Sequence, residues 1–474
     1  MIKVFYEKEI RRQEKITCEE KQICSKDLMY QAGYVLTKDF LSRVLRDSNQ
    51  QVLVIANTGN NGGDALIMYQ ELMKLGYRAK LVIVGNLEKA SEDFMFYHDR
   101  IENKEEIFSI NHVKDLLLSS RYVIDGIFGI GLKKEVSGEY KDLINLINKS
   151  EKIIYSIDIP SGIHPDSGLV MNAAVKANFT GVVGYYKLGN FLNDALDYHG
   201  ETKLLDIGLI EGYSDIYYLN LDEVDLSKKR LHNSNKYSYG KVAFIGSSSM
   251  PGAINLAAIS ALRSGIGLAE VFYDRNVVFI NLETIYKTLS INQDFSSYDC
   301  FVFGPGITNL NYKHDIAFKK ILDSGKKVLV DAGGLKYLDL NKNYDKVIIT
   351  PHLGELSSLL KVEKEVIKKD PIYYLRNLAS KGIVSLLKGQ TTIIQNKRST
   401  YLIQGKNTGL ATAGSGDCLA GIISSYLVSD TRTNSCVKGA VAHIKAANYA
   451  RIKKGEVSLI ASDIIENLYK NWRV

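Results

Sequence analysis

Residues 51–85 read QVLVIANTGNNGGDALIMYQELMKLGYRAKLVIVG, and this stretch decides the fold. QVLVIA (51–56) is a short, unbroken apolar run, as in a strand buried on both faces. NTGNNGGDAL (57–66) follows. Gly59, Gly62 and Gly63 give it backbone freedom, and Asn60, Asn61 and Asp64 give it polar groups. Ala65, Met68, Tyr69, Leu72 and Met73 then keep helical spacing, with Gly76 placed to end the helix. AKLVIVG (79–85) is the next strand. Strand, glycine loop, helix, strand is a βαβ unit of dinucleotide-binding type. The loop fits that fingerprint loosely, and a plain strand-to-helix turn is the competing reading.

Upstream, residues 25–45 read as an amphipathic helix with Ser25 as its N-cap. Downstream, YVIDGIFGIGL (122–132) sets Asp125 within a strand, with glycines 126, 129 and 131 behind it. KIIYSIDIPSGIHPDSG (152–168) sets Asp158 at a strand end before Pro160, Ser161 and Gly162. Ligands of parallel α/β sheets bind at the carboxyl ends of strands, so three such ends form a pocket if they are adjacent. Asn61, Asp125 and Ser161 offer oxygen, which suits a hard cation better than zinc. For any one of them a turn or cap is the plainer reading. EGYSDIYYLNLDEVDLSKKR (211–230) is polar without helical period and reads as the connection between two halves.

The second half restarts the pattern with KYSYGKVAFIGSS (236–248) and a small-residue helix in 251–268. CFVFGPGI (300–307), KKVLVDAGGL (326–335) and DKVIITPHLGEL (345–356) are strands that end in turns, and GIVSLLKGQTTII (382–394) is two strands about Gly389. Then comes TGLATAGSGDCLAGIISS (408–425), where small residues lead into Asp417 and Leu419, Ile422, Ile423, Tyr426 and Leu427 form one helical face. A small-residue loop at a helix N-terminus favours an anion, and an acid beside it can take a proton from an attacking hydroxyl. The loop reads as a phosphoryl-transfer site. A first-turn acid is expected to be ionised. The plain alternatives are a dipole-complementing Asp417, an exposed turn His352, a helix-capping Glu355 and a solvated edge Lys388.

At 474 residues the chain suits two domains. It has no apolar run of 18 residues and no signal-peptide core, so a cytoplasmic protein without membrane contact is expected. Five scattered cysteines, none in a CxxC pair, are expected to be free thiols. A net charge of +7 suits anionic small substrates but is too diffuse for nucleic acid.

These motifs carry a resemblance. GNNGGD (59–64), DGIFGIGL (125–132), DIPSG (158–162) and the run with Thr180, Lys187, Leu188 and Gly189 look like the epimerase half of the bifunctional NAD(P)H-hydrate repair enzymes. GPG (304–306), TPHLGE (350–355), LKG (387–389) and AGSGDCLAG (413–421) look like the dehydratase half. The resemblance implies an α/β chain of two three-layer αβα domains. Residues 1–212 would be a Rossmann-like epimerase, 213–228 a linker and 229–474 a ribokinase-like dehydratase. The first would interconvert R and S epimers of hydrated NAD(P)H (NAD(P)HX), with Asp158 as acid/base. Asn60, Asn61, Gly62, Gly63, Asp64, Gly129, Ile130, Gly131, Leu132, Lys133, Lys134 and Glu135 would contact the hydrate with Asp158. Asn61, Asp125 and Ser161 would bind K+. The second would dehydrate the S epimer with ADP or ATP and Mg2+. There Ala253, Gly306, His352 and the catalytic Asp417 would face the hydrate. Lys388, Gly389, Gln390, Thr391, Thr392, Gly414, Ser415 and Gly416 would hold the nucleotide. A homo-oligomer is expected.

The chain departs from the family pattern at Asn57, often glycine, and at Ala413 and Ser415, more commonly Gly and Thr. Gly333 stands where a second acid is common, which weakens the case for a metal or substrate role at 330–335. The alternative function is a ribokinase-like vitamin or sugar kinase with a non-catalytic Rossmann-like N-domain.

Overall fold

The computed structural model describes residues 1–102, 104–276 and 281–472. The chain divides into two compact units, Lys3–Ser214 and Asp215–Val474, the latter with Met1–Ile2.

The first unit is built on β1 (Gln51–Asn57), β2 (Ala79–Val84), β3 (Ile107–Phe108), β4 (Ser120–Gly126), β5 (Ile153–Ile157), β6 (Phe179–Val183) and β7 (Glu201–Leu205). Their order is β3-β2-β1-β4-β5-β6-β7, every neighbouring pair parallel. The unbroken apolar run of β1 is explained by two cores. Val52, Val54 and Ala56 join one with Leu36 and Met68, while Leu53 and Ile55 join the other with Leu143, Ile144 and Ile147. Each such side chain contributes about 1.5–3 kcal/mol on full burial. Helices α1 (Glu7–Lys21), α2 (Ser25–Asp39) and α3 (Asn60–Lys74) belong to this unit. Cys24 and not Ser25 is the N-cap of α2: its N–H donates to Asp27 Oδ2 at 2.9 Å. The expected helix 25–45 is α2 followed by a π-helical turn, Phe40–Val44.

The second unit holds β8 (Ile216–Tyr218), β9 (Lys241–Ile245), β10 (Leu268–Tyr273), β11 (Ile285–Thr288), β12 (Cys300–Phe303), β13 (Lys327–Val330), β14 (Val347–Ile349), β15 (Val384–Leu387), β16 (Thr391–Gln395) and β17 (Thr400–Gln404). The order is β11-β10-β9-β12-β13-β14-β15-β16-β17-β8. Along this order every adjacent pair from β11 through β15 is parallel, and β16 is antiparallel to both β15 and β17. Residues 213–228 are more than a connection, because β8 pairs with β17. Helices α4 (Pro251–Arg263), α5 (Leu353–Leu360), α6 (Ser415–Leu427) and α7 (Arg432–Lys454) belong to this unit. A Cβ on Gly421 of α6 would overlap the Ala257 carbonyl of α4, so a glycine is needed where these helices cross. All five cysteines are free, and among the described residues no helix is long and apolar enough to cross a membrane.

Two candidate active sites

In the first sheet the strand order reverses between β1 and β4, and β5 lies beside β4. The three strand ends singled out in the sequence are therefore neighbours. The loop after β1 turns so tightly that a Cβ on Gly62 would overlap the Asn57 carbonyl. It delivers Asn60 to Asp64 as the first residues of α3. Asp125, at the end of β4, is fully buried and accepts four hydrogen bonds. They come from Ser156 Oγ (2.7 Å), Ser161 N (2.9 Å), Ser161 Oγ (2.5 Å) and Ile127 N (3.3 Å). Burial raises its carboxyl, and these donors pull it back. The Asn61 side chain lies against Gly129, and its amide nitrogen is buried without a partner. Turned over, that amide presents oxygen at the same position. A buried carboxylate with a hydroxyl bonded to it, and a loop amide that offers oxygen when turned over, have the chemistry of hard-cation ligands.

Asp158 follows β5 with a left-handed φ of 68°. Its N–H donates to Gly181 O at 2.7 Å, and its Oδ1 accepts from Val183 N at 2.9 Å and from the Lys187 ammonium. Lys187 is buried, with its side chain 1% exposed. Two more acids share this field. Burial first, then the Asp158 and Glu14 charges, push Asp64 well above its ordinary value. Burial and Asp158 likewise raise Glu14, against Lys187 and Arg11. Glu14 and Arg11 lie three residues apart on α1, and the Arg11 guanidinium stands 3.3 Å from where a Cβ on Gly131 would be. Lys133, Lys134 and Glu135 of that loop are exposed.

In the second sheet the order reverses between β9 and β12. The glycine turn after β12 is there, with Gly306 at φ 77° and a Cβ position 3.5 Å from Ala253 Cβ, so these two expected residues meet. Next along, β13, β14 and β15 end in Asp331, His352 and Lys388. Lys388 Nζ donates to Asp331 Oδ1 at 2.9 Å, lies 3.8 Å from Glu355 Oε2 and is 3.2 Å from a Cβ position on Gly416. Its side chain is 20% exposed, so the solvated-edge reading fails. Burial would lower the Lys388 ammonium, but Asp331 and Glu355 outweigh it and raise it.

His352 is the N-cap of α5: its Nδ1 accepts from Gly354 N at 3.0 Å and Glu355 N at 3.2 Å. Glu355 returns the bond by accepting from His352 N at 2.9 Å, so the capping reading of Glu355 holds. Gly414, at φ 84°, is the N-cap of α6. Ser415 Oγ lies 3.2 Å from Nε2 of His443 on α7, whose imidazole burial lowers to about 4. Gly389 and Gln390 form the turn before β16, whose first residues, Thr391 and Thr392, are buried.

The expectation that Asp417 is ionised holds only in part, because near neutral pH both its forms are populated. Burial, then the Asp331 carboxylate, raises it to about 7, with Lys388 pulling the other way. Desolvation and a like charge together exceed the helix dipole. The expectation for 330–335 also changes. Gly333 leaves no room for a side chain, since a Cβ would overlap the Ile307 carbonyl, but Asp331 two residues earlier is in the site. Sequence reasoning missed Asp331, Glu14 and a role for Lys187. Asp331 carried the signal already used for Asp158, an acid at a strand end. Glu14 carried none, because α1 is charged all round.

Two parallel α/β units, each with an acid and a lysine at its strand ends, define a two-site enzyme for small anionic substrates. Residues 25–189 match the family described as YjeF-related protein N-terminus, and residues 242–470 match that described as NAD(P)H-hydrate dehydratase. The bifunctional NAD(P)H-hydrate repair enzyme Nnr of Dictyoglomus turgidum is 31% identical over 98% of each chain. That of Coxiella burnetii is 28% identical over 99% of each. Among solved structures, the ADP/ATP-dependent NAD(P)H-hydrate dehydratase of Bacillus subtilis, co-crystallised with ATP/Mg2+, is 25% identical. It covers 53% of this chain and 96% of its own, with a TM-score of 0.47. The chain belongs to the family of bifunctional NAD(P)H-hydrate repair enzymes. This decides between the two functions the sequence left open, in favour of hydrate repair over a vitamin or sugar kinase.

Proposed function

We propose that the first site interconverts the R and S epimers of NAD(P)HX, with Asp158 as the acid/base group and Lys187 as its bound counter-charge. Asn60 to Asp64 and Gly129 to Glu135 form the walls that hold the hydrate. Asn61, Asp125 and Ser161 would hold K+, which would supply positive charge beside the buried Asp125.

The second site dehydrates the S epimer. Ala253, Gly306 and His352 hold the hydrate beside Asp417. Lys388 to Thr392 and Gly414 to Gly416 hold ADP or ATP, and Mg2+ would enter with the nucleotide and offset its negative charge. The substrate hydroxyl oxygen attacks the terminal phosphorus, its proton passes to Asp417, and the phosphorus–oxygen bond to the departing nucleotide breaks with its electrons going to the nucleotide oxygen. Phosphate then leaves the ring carbon with the bonding electrons, and loss of a ring proton restores the double bond. Water is a poor leaving group and phosphate a better one, which is what a kinase-like site contributes to a dehydration. A base near 7 matches proton transfer at neutral pH. The protein works in the cytoplasm, where these cofactors turn over.

One observation carries this reading: an acid and a lysine converge separately in each unit, Asp158 with Lys187 and Asp417 with Lys388. The test is recovery of dihydronicotinamide absorbance from a mixture of both NADHX epimers with ADP or ATP. Full recovery of both epimers is expected. No recovery with either nucleotide, while a sugar or vitamin is phosphorylated, would sink the reading.

A further inference from the structure

Asp331 is not part of the roles above, yet it occupies the centre of the second site. Its side chain is 2% exposed and bonded to Lys388 at 2.9 Å. Its backbone is fixed from both sides. Its N–H donates to Phe303 O at 3.0 Å, and its carbonyl accepts from Gly334 N at 2.9 Å and lies against Gly304. The backbone is therefore fixed at the end of β13, and the bond to Lys388 orients the side chain. The charged groups around it are Glu355 from α5, Lys388 after β15 and Asp417 from α6, with His443 from α7 behind Ser415. His443 is neutral at working pH. That leaves three acids around one ammonium, and the ammonium bonds to the acid that is not the proposed base.

We propose that Asp331 is a positioning residue of the dehydratase site. It anchors the Lys388 ammonium under the N-terminus of α6, where nucleotide phosphate is expected, and its charge keeps Asp417 able to accept the substrate proton. The inference rests on the proposed dehydratase reading. Without Asp331, Lys388 is free to pair with Asp417, and the like charge facing Asp417 is lost. Both changes make Asp417 a weaker base.

The test is the pH profile of kcat/KM for nucleotide-dependent dehydration in the full chain, with epimerisation by the same preparations as a control. Wild type is expected to lose activity as pH falls through about 7. Asp331→Asn is expected to move that acid limb down by about one unit and to raise the KM for nucleotide, leaving epimerisation unchanged. Asp331→Glu restores the charge one methylene further from the ammonium. It is expected to restore the limb while the KM stays raised. A limb unmoved in Asp331→Asn, with rate lost equally at every pH, would reduce Asp331 to a structural part and overturn the proposal. Should Asp331→Asn fail to fold, Asp331→Glu decides: a raised KM with the wild-type limb supports the proposal, and an unchanged KM overturns it. Absence of dehydration in the wild type would instead overturn the functional reading itself.

Discussion

The two sites use the same pair of residue types and connect them differently. In the first, Lys187 reaches Asp158 directly, and both are buried. In the second, Lys388 bonds to Asp331, and Asp417 keeps a proton up to about 7. Where the ammonium is anchored, more than which acid is present, sets what each carboxyl can do. The Asp158 carboxyl meets its cation directly, so the proton exchange proposed for it takes place beside the Lys187 ammonium. An acid whose cation is held by a neighbour can take a proton from a hydroxyl.

The strongest way to break this comparison is to disable each acid in turn. Asp417→Asn is expected to lower dehydration by about 10²–10⁴-fold, the range for general acid–base groups, and to leave epimerisation intact. Asp158→Asn is expected to do the reverse, leaving the R epimer unrepaired. Chromatographic separation of the remaining epimers reads out both. If one variant lost both activities, the two sites would not be independent.

A second test exploits the difference in burial between the lysines. Lys187→Met leaves the Asp158 carboxylate, 12% exposed, without its cation. Removing one partner of a buried pair costs about 3–5 kcal/mol, so urea unfolding of the first unit should shift accordingly. Lys388, at 20% exposure, is expected to cost less when replaced by Met. Equal costs would mean that the direct pairing of Asp158 has no special energetic weight.

Much of this was legible in the sequence. The run 51–85 revealed the βαβ unit because a strand buried on both faces reads as continuous apolar residues. Asp158 stood out because it ends an apolar strand beside small residues, and Asp417 because it opens an apolar helix behind them. Adjacency was not legible. That β1, β4 and β5 are neighbours, and that β13 and β15 bring Asp331 to Lys388, follows from long-range pairing that no local pattern encodes. Protonation was misread for the same reason. The helix dipole at Asp417 is local and visible, whereas the Asp331 carboxylate lies 86 positions earlier in the chain. Glu14 shows the limit most plainly, because its place beside Asp158 exists only once α1 is docked.

The finest test of the comparison is the pH dependence of stability. The Asp417 carboxyl is raised from 3.8 unfolded to about 7 folded. Between those values the native state binds the proton more tightly than the unfolded chain, so stability falls as pH rises through this window and the full cost is present above it. Screening at this half-buried position should leave about 2 kcal/mol. Asp417→Asn removes that cost. Its Tm should match wild type near pH 4, rise above it through pH 7 and stay a few degrees higher at pH 8. Asp158→Asn should have the opposite sign at neutral pH, because it discards a bonded partner of the buried Lys187 ammonium. Scanning both variants by calorimetry at pH 5 and pH 8 separates the cases. Stabilisation by one and destabilisation by the other sharpens the contrast between a directly paired and an indirectly paired acid. Shifts of the same sign would mean that the two carboxyls stand in equivalent fields.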